Sequence, residues 1–128
     1  MNMADTSVWI HFFRFGDSQF EEMLVSGQVV MHDLILGEVA CGNLSDRQRT
    51  MADLRQLPRV ASATTEEVLF LIEEARLYGR GLGWIDMHLL AASRLGSVGL
   101  FTLDEALRTA AADLGVIART NAARQSEA

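Results

Sequence analysis

The chain has 128 residues, 49% of them hydrophobic and 22% charged, which is typical of one globular domain with a substantial core. All eleven basic residues are arginine, which excludes sites that need a lysine amine: the P-loop of NTPases, Schiff-base catalysis and acidic sites with an essential lysine. The formal charge of −6 argues at first against a nucleic-acid partner, because such proteins usually present a basic surface.

Cysteine content and apolar pattern indicate a cytoplasmic protein. Cys41 is the single cysteine, so an intramolecular disulfide is excluded and a reducing compartment is indicated. No apolar run approaches the roughly 20 residues of a membrane span. The N-terminal segment carries Asp5 and no basic residue before it, so we expect no signal peptide.

Short β-like runs alternate with longer helical patterns along the chain. The predicted strands are Asn2–Ala4, Gln28–Met31, Arg59–Ala61, Val98–Phe101 and Val116–Ala118. The predicted helices are Thr6–Phe13, Ser18–Val25, Leu34–Gly42, Asp46–Leu57, Thr64–Tyr78, Trp84–Leu95 and Leu103–Leu114. This alternation predicts an α/β domain over residues 1–120, with a mainly parallel sheet of about five strands and helices on both faces. Residues 121–128 are small and polar and are expected to form a flexible tail.

Local signals fix several helix ends. Thr64 with Glu67, and Thr102 with Glu105, have the spacing of a capping box. Glycines follow each of the last three helical patterns, where they are expected to end them. The aromatic stripe Trp9, Phe12 and Phe13 is predicted to lie in the core, and Trp84 in the core or at a dimer interface.

Four acidic residues follow predicted strands or begin apolar helices. Asp5 comes directly after the first strand and Asp104 shortly after the fourth, at the edge where α/β sheets bind ligands. Glu38 and Asp86 are charges within apolar helices. Taken singly, each has a structural explanation, since Asp5 could cap a helix, Asp86 and Asp104 could answer a helix dipole, and Glu38 could pair with an arginine.

Taken together, the four carboxylates favour a metal site. If they converge on one side of one sheet without a cation, they repel and raise one another's pKa values. A divalent ion removes that cost, and a set of oxygen ligands favours Mg²⁺ or Mn²⁺ over Zn²⁺. Asp33 is ambiguous, because it could cap the third helix or lie near the site.

The chain resembles the PIN domain family, and within it the VapC-type toxin ribonucleases of prokaryotic toxin–antitoxin pairs. The resemblance rests on Asp5-Thr6-Ser7-Val8-Trp9-Ile10, an apolar helix carrying Glu38, the segment from Gly83 to Ala92 that contains Asp86, and Thr102-Leu103-Asp104. These motifs occur in the family's order from Met3 to about Val116.

The resemblance implies a PIN-like α/β/α sandwich and an endoribonuclease that depends on Mg²⁺ or Mn²⁺. It implies that Asp5, Glu38, Asp86 and Asp104 are the catalytic and metal-binding residues, with Thr102 and Ser7 supporting them. It also implies an RNA substrate, a homodimer and inhibition by a cognate antitoxin. The candidate arginines for guiding RNA are Arg14, Arg47, Arg49 and Arg80.

Two alternatives remain open at this point. The fold could serve as a protein-interaction module without catalysis, its carboxylates acting only as helix caps. A phosphoacceptor signalling domain is a weaker alternative, because such domains usually need a lysine near the acidic cluster and this chain has none.

Overall fold

A small parallel sheet organises the fold in the computed structural model, which describes residues 1–118; the predicted tail, residues 121–128, lies outside them. In chain order the elements are β1 (Asn2–Ala4), α1 (Thr6–Phe15), α2 (Ser18–Val25), β2 (Val29–Val30), α3 (Asp33–Ala40), α4 (Arg47–Arg55), α5 (Thr65–Glu74), α6 (Trp84–Gly96), β3 (Gly99–Phe101) and α7 (Glu105–Asp113). Strand β1 lies in the middle of the order β2-β1-β3 and pairs in parallel with both neighbours.

The sheet has three strands where the sequence predicts about five, so the predicted count is wrong. The segments around Arg59 and Ile117 do lie parallel to the sheet, but each pairs through one isolated bridge, to Met31 and to Leu100. Two backbone hydrogen bonds hold each bridge, for example from the N–H of Met31 to Pro58 (2.8 Å) and from the N–H of Val60 to Met31 (3.0 Å). Pro58 has no N–H to extend the first ladder.

Consecutive strand residues are buried on both faces of the sheet. Met3 and Ala4 of β1 are both buried, as are Val29 and Val30 of β2. Because successive side chains of a strand point to opposite faces, both faces must be covered. The predicted α/β class with a parallel, covered sheet is therefore confirmed. Within residues 1–118, no helix combines the length and the apolar character needed to cross a membrane.

Several predicted helix ends are corrected by backbone conformation. Helix α5 ends at Glu74, four residues early, because Arg76 adopts a left-handed conformation (φ 53°) before the glycines are reached. Ser97 (φ 53°) follows α6 in the same way. The predicted capping box of Thr64 and Glu67 is confirmed. The predicted capping box of Thr102 and Glu105 is wrong. Asp104 caps α7, and the hydroxyl of Thr102 donates to Asp5 instead.

Gly99 of β3 lies where no side chain fits, which gives a stability prediction. A Cβ at this position would be 2.8 Å from Cα of Ala118 and 2.5 Å from Oδ1 of Asn2. We expect Gly99→Ala to lower the free energy of unfolding by about 1–3 kcal/mol, because the backbone must shift. Gly37→Ala is the matched control, since nothing lies within 4 Å of its added Cβ. In the exposed face of α3 it should stabilise by about 0.5–1 kcal/mol. Urea denaturation of both variants measures the difference, and equal stabilities would contradict this description of the sheet.

Candidate active site

Two of the four sequence-predicted carboxylates follow neighbouring strands at one edge of the sheet. Asp5 directly follows β1, and Asp104 is the third residue after β3. Ala4 and Phe101 are partners in the register of these parallel strands, so both strands end at the same level. The N–H of Asp5 donates to the carbonyl of Phe101 (3.0 Å), which ties the two strand ends together.

Three groups of the chain hold the carboxylate of Asp5, which is 7% exposed. Its Oδ1 accepts hydrogen bonds from the hydroxyl of Ser7 (2.5 Å) and the N–H of Val8 (3.3 Å). Its Oδ2 accepts one from the hydroxyl of Thr102 (2.5 Å). Asp5 therefore caps α1, as one alternative predicted, and is also fixed by a residue 97 positions away in the chain.

The two hydroxyls that hold Asp5 are themselves fixed by the loop before α7. The N–H of Asp104 donates to Oγ1 of Thr102 (3.0 Å), and the N–H of Leu103 donates to Oγ of Ser7 (3.1 Å). Arg108 donates to the carbonyl of Thr102 (3.1 Å). Each hydroxyl thus accepts a backbone N–H of the segment between β3 and α7 and donates to Asp5. The orientation of the Asp5 carboxylate therefore depends on the segments that follow both β1 and β3.

Asp86 and Asp104 lie at the starts of two helices and face the same region. Asp104 is exposed and accepts a hydrogen bond from the N–H of Leu107 (3.1 Å). Asp86, in the first turn of α6, accepts one from the N–H of Gly83 (2.9 Å). Burial raises the pKa of Asp86, the Gly83 hydrogen bond opposes this, and the charges of Asp104 and Asp5 raise it further. Asp86 is therefore close enough to Asp104 and Asp5 to be repelled by both.

Glu38 is linked to the start of α1 by a hydrogen bond from Thr6, a residue that the sequence pattern did not single out. Glu38 is exposed on α3, and its Oε1 accepts a hydrogen bond from the hydroxyl of Thr6 (2.7 Å). Thr6 directly follows Asp5 and begins α1, which packs against α3. The link joins residues 32 positions apart. No local pattern could have revealed it, although the position of Thr6 beside Asp5 was a weak signal.

Within residues 1–118, no arginine or histidine lies within ion-pair distance of the four carboxylates. The ion pairs of this part of the chain are Arg59–Asp33 at 2.9 Å, Arg80–Asp113 at 2.7 Å and Arg94–Glu74 at 4.0 Å. The first pair resolves the ambiguity of Asp33, which binds Arg59 and does not cap α3. If Glu38 had only a structural role, an arginine was expected to pair with it. None does so within residues 1–118.

Comparison with known proteins identifies the family of the chain. The model of the PIN domain family matches residues 3–113, most of the chain. The chain belongs to the PIN domain family. It is 38% identical over 117 residues to Ribonuclease VapC32 of Mycobacterium tuberculosis, in strains CDC 1551 / Oshkosh and ATCC 25618 / H37Rv. The match covers 91% of this chain and 94% of the relative, and the resemblance to VapC-type proteins is thereby confirmed.

The oxygen ligands of the four carboxylates fit a hard divalent cation, although their side chains are not grouped into a ligand cluster in this structure. Among residues 1–118, no three His, Cys, Asp or Glu side chains are grouped so as to hold a metal ion. Each of the four carboxylates accepts a hydrogen bond from the chain instead. The set offers only oxygen ligands, and the mutual repulsion at Asp86 is what a cation would relieve.

A buried histidine, also missed from sequence, positions the helix that carries Glu38. His32 caps α3 by accepting the N–H of Leu34 at its Nδ1 (3.0 Å). Burial lowers the pKa of His32, and nearby His88 of α6 lowers it further against the opposing charge of Asp33. The neutral form is the one that can accept the capping hydrogen bond.

The raised pKa of Asp86 predicts that its charge destabilises the metal-free protein. In EDTA at neutral pH, Asp86→Asn should raise Tm, because asparagine keeps an acceptor for the N–H of Gly83 and loses the repelled charge. For an acid with a raised pKa in the folded state, the penalty is present above that pKa. It is lost as pH falls to the ordinary carboxyl value of about 4. The Tm difference should therefore shrink on acidification. A variant less stable than the parent at neutral pH would contradict this assignment.

Proposed function

We propose that this protein is a divalent-metal-dependent endoribonuclease toxin of the VapC type, which hydrolyses phosphodiester bonds of RNA. The observation that carries the proposal is the placement of Asp5 and Asp104 at the ends of neighbouring parallel strands, linked through the hydroxyl of Thr102. The charges of both raise the pKa of Asp86, and no cation of residues 1–118 pairs with any of the three. The relative that shares 38% of its residues is named a ribonuclease, which supports RNA as the substrate.

Asp5, Glu38, Asp86 and Asp104 would hold Mg²⁺ or Mn²⁺. When bound, such an ion lowers the pKa of a water and neutralises charge on the phosphate and on the leaving oxygen. Ser7 and Thr102 orient Asp5 through its two oxygens, and Thr6 orients Glu38. One of the four carboxylates would accept the proton of the attacking water. The products are two shorter RNA chains, one carrying the phosphate.

The biological setting of the proposal follows the VapC type. We propose inhibition by a cognate antitoxin, action as a homodimer and a cytoplasmic location. Because Glu38 and Asp104 are exposed, an antitoxin that places a cationic side chain there would compete with the metal for the same oxygens.

A protein-interaction module is the second candidate, and it too has an observation in its favour. Asp5 and Asp104 cap α1 and α7, so their presence at these helix starts needs no catalytic role. Such a module would use the same carboxylates only to satisfy backbone N–H groups. It predicts no metal binding.

Calorimetric titration with Mn²⁺ separates the two candidates. We expect the parent protein to bind Mn²⁺ and Asp104→Asn to bind it at least about tenfold more weakly. Asp17→Asn is the matched control, because Asp17 also caps a helix, α2, through the N–H groups of Gln19 and Phe20. It should bind like the parent. Absence of Mn²⁺ binding to the parent would favour the interaction module.

A further inference from the structure

A groove leads away from the proposed metal site along α1. Its cavity of about 510 Å³ lies between α1 and the segment that joins α3 to α4. Ile10, Phe13 and Arg14 form one wall, and Asn43, Leu44 and Ser45 the other. Glu38 lines the same groove, so the cavity touches the proposed metal site at that carboxylate.

We propose that this groove is a nucleotide subsite that binds a base and phosphate of single-stranded RNA next to the bond being cleaved. The inference rests on the proposed function, because it takes the carboxylates beside Glu38 as the reacting centre. RNA with its scissile phosphate at that centre must continue in some direction. The groove at Glu38 offers the nucleotide next to the scissile phosphate an apolar wall, which includes Phe13, and a cation, Arg14.

The aromatic wall is exposed contrary to its sequence pattern. Phe13 was predicted to lie in the core with Trp9 and Phe12, but it is 38% exposed, whereas Trp9 is 2% exposed. The Phe13 ring rests against Trp9 at a centroid distance of 5.8 Å, which fixes its position at the groove. A fixed, exposed aromatic ring is the platform on which single-stranded bases stack.

The charge at the groove also suits a phosphate. Arg14 is exposed and makes no ion pair with any residue of the described part of the chain, 1–118. Two of the other arginines suggested by the sequence are engaged within the protein. Arg47 donates to the carbonyls of Ala40 (2.5 Å) and Gly42 (3.0 Å), and Arg80 pairs with Asp113. Of the four candidate arginines, Arg14 alone lines the groove. Its guanidinium lies 5.9 Å from the centroid of the Phe15 ring, a contact that leaves its N–H donors available to a phosphate.

A second large groove has the wrong charge for RNA. It lies between α5 and α6, has a volume of about 470 Å³ and contains the exposed ring of Phe70. Three carboxylates line it, those of Glu66, Glu67 and Glu74, and its arginine, Arg94, lies 4.0 Å from Glu74. Like charge repels a polyanion, so this groove supplies matched control positions.

Fluorescence anisotropy with a short labelled single-stranded RNA tests the subsite, in EDTA so that the proposed reaction does not proceed. We expect Phe13→Leu to weaken RNA binding about tenfold, because leucine keeps an apolar wall but has no stacking face. Arg14→Gln should reduce the slope of log Kd against log salt by about 0.7, the value of one phosphate contact on a single strand. The controls Phe70→Leu and Arg94→Gln should bind like the parent.

A second arm measures cleavage in Mn²⁺, where Phe13→Leu and Arg14→Gln should raise KM and leave kcat nearly unchanged. Thermal melts show whether Phe13→Leu disturbs its packing on Trp9, and Arg14→Gln tests the exposed cation independently. RNA binding that depends on Phe13 and Arg14 supports the subsite even if no cleavage occurs, and only the proposed function would then fail. Equal RNA binding by the parent and both variants would contradict the proposed subsite and would favour a protein as the ligand of this groove.

Discussion

We expect Asp5→Asn to lower the rate of metal-dependent RNA cleavage by at least about 10²-fold. Asp5 lies at the centre of the network, where Ser7, Val8 and Thr102 all donate to its carboxylate. Asparagine has nearly the same shape but replaces one anionic oxygen with an NH₂ group, which cannot bind a cation. The hydroxyls of Ser7 and Thr102 can rotate to accept from that group, so the fold should be retained. Cleavage rates and thermal melts of the two proteins measure both effects.

Expression in a bacterial host gives the same prediction a cellular readout. The parent chain should arrest growth and Asp5→Asn should not, at equal protein levels. Asp17→Asn makes the same chemical change at another helix cap, on α2, and should remain as toxic as the parent. Equal growth of cells expressing the parent and Asp5→Asn would count against the toxin proposal.

The second large effect is expected for Thr102→Val, which removes the hydroxyl that joins Asp5 to Asp104. Thr102 is 3% exposed, and its Oγ1 both donates to Asp5 and accepts the N–H of Asp104. Loss of such a supporting group costs about 10–100-fold in metal affinity or activity. The variant should also lose about 1–3 kcal/mol of stability, since the buried partners are left unpaired.

Two comparisons show whether that effect passes through the hydroxyl. Thr102→Ser restores the hydroxyl and should recover most of the Mn²⁺ affinity. Thr109→Val removes another hydroxyl from the same part of the chain, one that donates to the carbonyl of Glu105 on the surface of α7. It should leave Mn²⁺ binding unchanged. If Thr102→Val bound Mn²⁺ like the parent, Thr102 would have no positioning role.

Sequence could predict the edge of the sheet where the carboxylates meet, because their placement follows from local patterns. Asp5 follows a β-like run directly and Asp104 follows one after two residues, and parallel strands end together. The seven helical segments and the parallel direction of the sheet were predictable for the same reason. The two outer strands failed because one bridge each, at Met31 and Leu100, is decided by tertiary contacts and not by strand propensity.

Features that depend on contacts distant in sequence could not be predicted. The hydrogen bond from Thr6 to Glu38 joins α1 to α3, and the capping of α3 by a buried histidine, His32, has no usual signature. The exposure of Phe13 was missed because the helical periodicity of α1 cannot show which edge of its apolar stripe the neighbouring helices leave uncovered.

The acidic charge of −6 has a different meaning once its distribution is known. Four of the acids belong to the proposed metal site, where a bound cation would offset their charge. Several others pair with arginines on the surface, as Asp33 and Asp113 do. Net charge therefore does not exclude an RNA substrate, because the local charge at the groove beside Glu38 includes Arg14.

Cleavage of RNA by the purified chain as a function of free divalent metal tests the central claim most directly. We expect no cleavage in EDTA and a saturable rise in rate as Mn²⁺ or Mg²⁺ is added back. RNA cleavage that persists in EDTA, or its absence at saturating Mn²⁺, would contradict a site that works through Asp5, Glu38, Asp86 and Asp104.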